Sequence, residues 1–231
     1  MKKNILRNSN SFDKTWEAIY LSGHSQLYPW DIVVSFIFRN SPLKSSRKNI
    51  KILEVGFGTG SNLWFAAREG FDVYGIEASK IAVNFAKERF KSDSLKGNLR
   101  HGNFIKLPFK DNFFDLILDR CSLVCVGRNS QKRAFKEIHR VLKKGGKFFH
   151  NTYSKNCTSY KTGEIGKDGL TINMKRGTNA SLGQLYFNSE EEIRDKFKTK
   201  WKLLQIQKRK NCEIIKPRTI HEEWIVIAEK I

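Results

Sequence analysis

Glu54-Val55-Gly56-Phe57-Gly58-Thr59-Gly60 follows the apolar run Ile50-Lys51-Ile52-Leu53 and precedes a helical pattern over residues 62–69. The spacing predicts a strand over 50–55, a tight turn and a helix. Glycines let such a turn bend sharply and bring bare backbone close to a ligand. In an open α/β sheet, ligands sit beyond the carboxyl ends of the strands where the strand order reverses, and this turn occupies such a place. A second strand over 72–76 ends in Gly75-Ile76-Glu77. A carboxylate there can accept hydrogen bonds from both hydroxyls of a ribose. A glycine turn alone is a weak signal, so the exclusions matter. The dinucleotide fingerprint wants a third glycine where Ser61 stands, and no Gly-Lys-Ser/Thr ending completes a phosphate-binding loop.

Outward from the turn, helix and strand alternate. Residues 11–22 suit a first helix with Phe12, Trp16, Ile19 and Tyr20 on one face, and Pro29 opens a second helix to 38. Ser79 is placed to cap a helix over 80–91. Strands are expected over 99–102 and 114–118, then a helix over 131–142 stopped by Gly145 and Gly146, then a fifth strand over 147–150. This alternation predicts an α/β fold, a parallel sheet with helices on both faces. Residues 152–184 are polar and glycine-containing, too long for a routine connector, and are expected to form a lid-like insertion. Ser189 and Glu192 make a capping box for a helix to about 200. Strands over 202–209 and 223–229 are joined by a loop too short for a helical crossover, so they should be antiparallel. The expected organisation is a helical cap over 1–49 and one domain over 50–231.

The chain has 231 residues, 43 Lys and Arg against 23 Asp and Glu, and a net charge of +20. Such a charge suits a polyanionic partner or an anionic substrate, although a lysine-rich solvated surface gives the same number. Positions 1–12 lack the apolar core of a signal peptide and residues 32–38 are too short to span a bilayer, so the expectation is cytoplasmic, with no membrane partner. Cys121, Cys125, Cys157 and Cys212 show no paired spacing and are expected as buried free thiols, with no metal site.

Four blocks together, ILEVGFGTGSN (52–62), YGIEAS (74–79), LPFKDNFFDLILD (107–119) and EIHRVLKKGGKFF (137–149), resemble class I methyltransferases, particularly the type 11 group. The resemblance spans roughly residues 16–149. It implies a Rossmann-like seven-stranded sheet of order 3-2-1-4-5-7-6 with strand 7 antiparallel, and S-adenosyl-L-methionine as cofactor, leaving as S-adenosyl-L-homocysteine. It further implies that Gly56, Gly58 and Gly60 line the methionine part, that Glu54 orients the ammonium group and that Glu77 clasps the ribose. Asn103 and Phe104 would lie at the adenine edge, Asp119 near the methyl end, and Trp16 and Tyr20 over the cofactor. Many relatives carry Asp where this chain has Asn103. Asp119 could equally cap a loop, Trp16 and Tyr20 could simply pack together, and His139 suits a helix surface.

Methyl transfer is an in-line displacement, so the protein mainly aligns the acceptor, excludes water and, for a hydroxyl or amine, removes a proton. Asp119, His150 and Tyr153 are the candidate catalytic groups near the strand ends, and Arg120 could meet an anionic acceptor. The expected reaction is O- or N-methylation of a small molecule such as a sugar or nucleotide-linked metabolite. The alternative is an RNA or protein methyltransferase, favoured by the charge; Asp119-Arg120-Cys121-Ser122 lacks the [DN]PPY pattern of base N-methyltransferases. A non-catalytic cofactor-binding regulator is the third reading.

Overall fold

The computed structural model describes residues 15–231. The part of the first expected helix before residue 15, Phe12 included, lies outside the described residues. Helices α1 (Thr15–Leu21) and α2 (Asp31–Asn40) precede strand β1 (Lys51–Val55), helix α3 (Ser61–Arg68), β2 (Asp72–Glu77), α4 (Lys80–Ser92) and β3 (Asn98–His101). Then come β4 (Phe114–Arg120), α5 (Arg128–Val141), β5 (Leu142–Ser154) and α6 (Thr158–Lys161). Four two-residue strands follow, β6 (Glu164–Ile165), β7 (Thr171–Ile172), β8 (Gln184–Leu185) and β9 (Phe187–Asn188). Helix α7 (Glu190–Lys196) and the long strands β10 (Trp201–Glu213) and β11 (Thr219–Lys230) complete the chain.

The main path through the sheet is β3-β2-β1-β4-β5-β11-β10. Strands β1 to β5 run parallel, and β11 is antiparallel to both β5 and β10. This is the Rossmann-like methyltransferase order. Where β4 ends, at the Arg120–Asn151 pair, β9 pairs onward with Tyr153 and Ser154 of β5.

The period of two along each strand divides the core between the faces. Leu53, Ile117, Phe148 and Val226 join Phe135 and Ile138 of α5 and Ile193 of α7. Ile52, Leu116, Leu118 and Phe149 join Val33 and Phe36 of α2, Leu63 of α3 and Val83 of α4. Burying one Phe or Leu side chain stabilises by about 2–3 kcal/mol, so either layer would expose a costly apolar face if removed.

The structure corrects three expectations. Gly145 and Gly146 do not stop a helix; α5 ends at Val141, Leu142 is already extended (φ −74°, ψ 138°), and both glycines lie inside β5. They relieve a crowded irregularity: the β4–β5 register shifts between Phe114 and Leu116, and a Cβ on Gly146 would stand 3.0 Å from the Asp115 carbonyl oxygen. Helix α7 ends at Lys196 rather than near 200, although its capping box is present as expected. Of the four free thiols only Cys157 is buried; Cys121 and Cys125 are half-buried, and Cys212 is exposed because β10 is an edge strand. His139 is half-buried, its ring edge-on to Trp201 at 5.1 Å.

Candidate active site

All three glycines of the turn have left-handed backbone, with φ of 67° at Gly56, 55° at Gly58 and 80° at Gly60. All three need glycine for space as well; a Cβ on Gly60 would lie 2.9 Å from the Ala86 Cβ. A Cβ on Gly56 would lie 2.4 Å from the Ser122 side chain, and one on Gly58 would lie 2.8 Å from the Tyr20 hydroxyl. The Gly56 amide donates to the Ile76 carbonyl at 2.7 Å, which ties the turn to the end of β2. There Glu77 accepts from the Gly58 amide at 2.9 Å and the Ser79 amide at 2.8 Å. Burial pushes its carboxyl up, and these backbone donors partly offset that. Ser79 accepts from the Ala82 amide, the helix cap expected from the sequence.

Glu54 lies beneath the turn, 2 % exposed. One oxygen accepts from Asn62 Nδ2 at 2.7 Å; the other has no hydrogen-bond partner among the described residues. Burial, reinforced by the charges of Asp119 and Glu77 and opposed by the Asn62 hydrogen bond, pushes its carboxyl up to about 8. Asn62 Oδ1 accepts the Trp30 amide at 3.1 Å, and Thr59 exchanges two 3.1 Å hydrogen bonds with the Gln26 backbone, so the loop after α1 is tied to the turn. Above it Trp16, Tyr20 and His24 form one aromatic cluster with centroids 5.8–6.5 Å apart.

A cavity runs along this surface in two connected parts. The inner part, about 110 Å³, is walled by Glu77, Ala78, Phe104, Ser122 and Val126. The outer part, about 410 Å³, is lined on one side by Glu54, Gly56, Gly58 and Asn62; Gly60, expected at the cofactor, lines neither part. Trp16, Tyr20, Gly56, Arg120 and Cys121 belong to both. Asn103 does not reach either wall; its Oδ1 accepts the Ile105 amide at 3.0 Å, which holds the turn that presents Phe104.

Asp119 and His150 are placed differently from the sequence expectation. Asp119 is fully buried. One of its oxygens accepts the Ser122 and Leu123 amides at 2.9 and 3.0 Å, and the other pairs with His150 Nδ1 at 2.6 Å. His150 packs against Phe135, Phe148 and Phe197, and burial lowers its pKa despite Asp119. Neither side chain lines the cavity. What Asp119 does is hold the bend after β4, where Cys121 takes φ 56° and the Ser122 hydroxyl donates to the Gly56 carbonyl at 2.8 Å.

The wall opposite the glycine turn contains Arg120 and Tyr153, as expected, and His221 and Glu223, which the sequence reading missed. Arg120 pairs with Glu223 at 3.3 Å and stacks 4.0 Å from the Trp30 ring centroid. His221 Nε2 lies 3.2 Å from the same Glu223 oxygen, its Nδ1 lies 2.9 Å from the Thr178 hydroxyl, and the Tyr153 ring stands edge-on at 5.4 Å. Burial alone would raise the Glu223 carboxyl; the His221 hydrogen bond and the Arg120 charge carry it below the usual range. Burial raises the Tyr153 phenol well above its ordinary value, so it stays protonated and acts as a donor rather than a base. Burial likewise pushes the Cys121 thiol up to about 12, although Arg120 opposes it. Nothing local in the sequence marks His221 or Glu223. Only the Glu223–Tyr153 register of β11 on β5 brings them here. Among the described residues, no group of three or more His, Cys, Asp or Glu side chains is placed to hold a metal ion.

The sheet order is that of the Rossmann-like methyltransferase fold, with the left-handed glycine turn and the acid after β2 at the ends of its central strands. Residues 53–150 match the family model described as a methyltransferase domain. The chain is 34% identical over 125 residues to the demethylmenaquinone methyltransferase of Alkalihalophilus pseudofirmus, covering 50% of this chain and 52% of the relative. It is 33% identical over 150 residues to the ubiquinone biosynthesis O-methyltransferase of Pelagibacter ubique, covering 64% and 60%. The matches thus span between about half and three-fifths of these relatives' lengths. Among solved structures, an S-adenosylmethionine-dependent methyltransferase from Methanosarcina mazei superposes with a TM-score of 0.68 at 19% identity, over 89% of this chain and 99% of that one.

Proposed function

We propose that the protein transfers a methyl group from S-adenosylmethionine to an oxygen or nitrogen of a small-molecule acceptor held between Arg120, Tyr153 and His221. The observation that carries this reading is the buried, unpartnered oxygen of Glu54 directly beneath three left-handed glycines. An orphan carboxylate oxygen facing a cavity fits an ammonium group. Glu77 and Phe104 in the inner cavity fit a ribose and a flat base, and the methionine chain lies along the bare backbone between. The cofactor supplies a methyl on a sulfonium, displaced in line with a neutral thioether leaving. The relatives named for demethylmenaquinone and for ubiquinone biosynthesis support a small-molecule acceptor over RNA or protein. Arg120, paired with Glu223, offers a cation to an anionic group of the acceptor, such as a nucleotide-linked one.

In this reading Gly56 and Gly58 receive the methionine part, Trp16 and Tyr20 cover it, and Asn103 acts through Phe104. Asp119 and His150 position the bend after β4. The residues around α1 and α2 form the helical cap; the insertion expected over 152–184 gives its first three residues to β5, and the part after Ser154 forms the lid that carries Thr178 to the cavity. His221 takes the acceptor's proton. Its Nε2–H donates to the Glu223 carboxylate, which leaves Nδ1 basic and facing the place the Thr178 hydroxyl occupies. The His221→Asn protein should lose at least about tenfold in kcat on a hydroxyl acceptor, with unchanged affinity for S-adenosylhomocysteine. Unchanged kcat would remove His221 from the proton path.

Calorimetry with S-adenosylhomocysteine tests the cofactor assignment, with NADH and ATP as competitors that should not displace it. The Glu54 carboxyl, at about 8 in the empty site, is mostly protonated at neutral pH. An ammonium group binds the anion, so binding near pH 7 should release close to one proton. Affinity should rise from about pH 6 towards about 8 and flatten above. Equal apparent enthalpies in phosphate and Tris would show that no proton is released and that Glu54 is not the ammonium partner.

A further inference from the structure

We propose that the tip of the β10–β11 hairpin docks the protein onto an anionic lipid surface, with the cavity mouth beside the contact. The two strands pair from Trp201–Lys230 out to Glu213–Thr219, but β11 has β5 as a neighbour only from Glu223 onward. The last four pairs and the connecting residues 214–218 therefore project beyond the sheet. At the end stand Ile214 and Ile215, 70 % and 80 % exposed. Single exposed apolar residues are ordinary on protein surfaces. Two adjacent isoleucines at a hairpin tip, where turns are usually polar, are not.

Residues 208–218 carry Lys208, Arg209, Lys210, Lys216 and Arg218 against the single acid Glu213. Lys208 and Arg209 are paired, with Glu222 and Asp31, whereas Lys210, Lys216 and Arg218 have no ion-pair partner among the described residues. Arg176 joins them, its guanidinium donating to the Arg218 carbonyl. An aliphatic tip ringed by cations matches a bilayer of anionic lipids. The isoleucines reach the boundary between headgroups and acyl chains, and the cations meet the phosphates. A nucleic acid would use the cations but gives the isoleucines nothing, and the projecting part of the hairpin carries no Phe, Tyr or Trp for base stacking. A second copy of a +20 chain would be repelled.

The projecting hairpin also borders the site at its base. His221, Thr178 and Trp30 line the cavity, Arg209 is bonded to Asp31 beside Trp30, and Leu27 and Tyr28 are exposed on the same loop. An acceptor dissolved in the bilayer would enter by this mouth, a consequence that rests on the proposed function, whereas docking does not. No described helix is long and apolar enough to cross a membrane, and the proposed contact is a peripheral one.

Sedimentation with vesicles of phosphatidylcholine plus about one-third phosphatidylglycerol, against phosphatidylcholine alone, tests the docking. The wild-type chain should partition at least about tenfold more strongly onto the anionic vesicles and be released by about 0.5 M salt. The Ile214→Ser/Ile215→Ser protein should lose about tenfold or more. The Ile215 amide bond to Glu213 survives that change, and S-adenosylhomocysteine calorimetry confirms the fold. Undiminished binding by this variant, absence of wild-type binding, or binding to tRNA but not to vesicles would each overturn the proposal. A wild-type chain that binds vesicles but not S-adenosylhomocysteine would overturn only the cofactor reading.

Discussion

The Gly58→Val protein will fold and lose about a hundredfold or more in affinity for S-adenosylhomocysteine. At φ 55°, a β-branched side chain sits in a region that costs L-residues about 1–2 kcal/mol. The new Cβ would also stand 2.8 Å from the Tyr20 hydroxyl, so either the turn or α1 must move. Relief by moving Tyr20 opens the aromatic cover. Relief by moving the turn breaks the 2.9 Å bond from the Gly58 amide to Glu77. Both remove complementarity to the ligand, and a loss of about 3 kcal/mol is about a hundredfold in affinity. Calorimetry reads this directly; wild-type affinity would exclude this turn as the cofactor seat.

Glu77→Ala is expected to cost both binding and stability, which separates its two jobs. Hydrogen bonds to charged groups contribute about 1.5–3 kcal/mol each, so loss of the ribose contacts alone should weaken S-adenosylhomocysteine by at least about a hundredfold. The same truncation strips the Gly58 and Ser79 amides of their acceptor. Each buried donor left unpaired costs about 1–3 kcal/mol, and a chain of this size loses about 2–4 °C in Tm per kcal/mol. Thermal unfolding of the ligand-free variant should therefore show a fall of about 5 °C or more. A variant with unchanged Tm but no binding would mean that Glu77 serves the ligand alone. A destabilised variant that binds normally would mean that it serves only the turn.

The glycine turn was readable because its requirement is local. Left-handed backbone at Gly56 and Gly58 admits few residue types, and the strand and helix patterns on either side have their own periods. The same local reading misjudged Gly145 and Gly146. A glycine pair after a helical pattern signals a stop, but here Gly145 supplies left-handed backbone and Gly146 fits between Leu142, the Lys143 carbonyl and the Asp115 carbonyl of the neighbouring strand, beside a register shift. The last hairpin was under-read for a related reason: β10 is an edge strand whose outer residues are charged, so its alternation is faint.

Asp119 and His150 show where proximity in sequence misleads. Both end up near the carboxyl ends of the central strands, yet both point into the core behind the bend and meet each other there at 2.6 Å. The opposite wall shows the converse. Arg120, Tyr153 and Glu223 belong to three strands, and their 3.3 Å ion pair and shared cavity exist only because β11 pairs antiparallel with β5 in one register. Slipping that register by one residue would turn Glu223 to the other face of the sheet.

The amino-acid sequence by itself determined the main order of sheet strands and flanking helices, the glycine turn and the acid beyond it, since each depends on residues within a few positions of one another; the short strands and helix α6 between Thr158 and Asn188 were not among them. The tertiary structure alone decided which side chains face the cavity and which are sealed behind it. That choice depends on interstrand register and on burial, and both are set by contacts between segments far apart in the chain, such as Lys147 and Glu229.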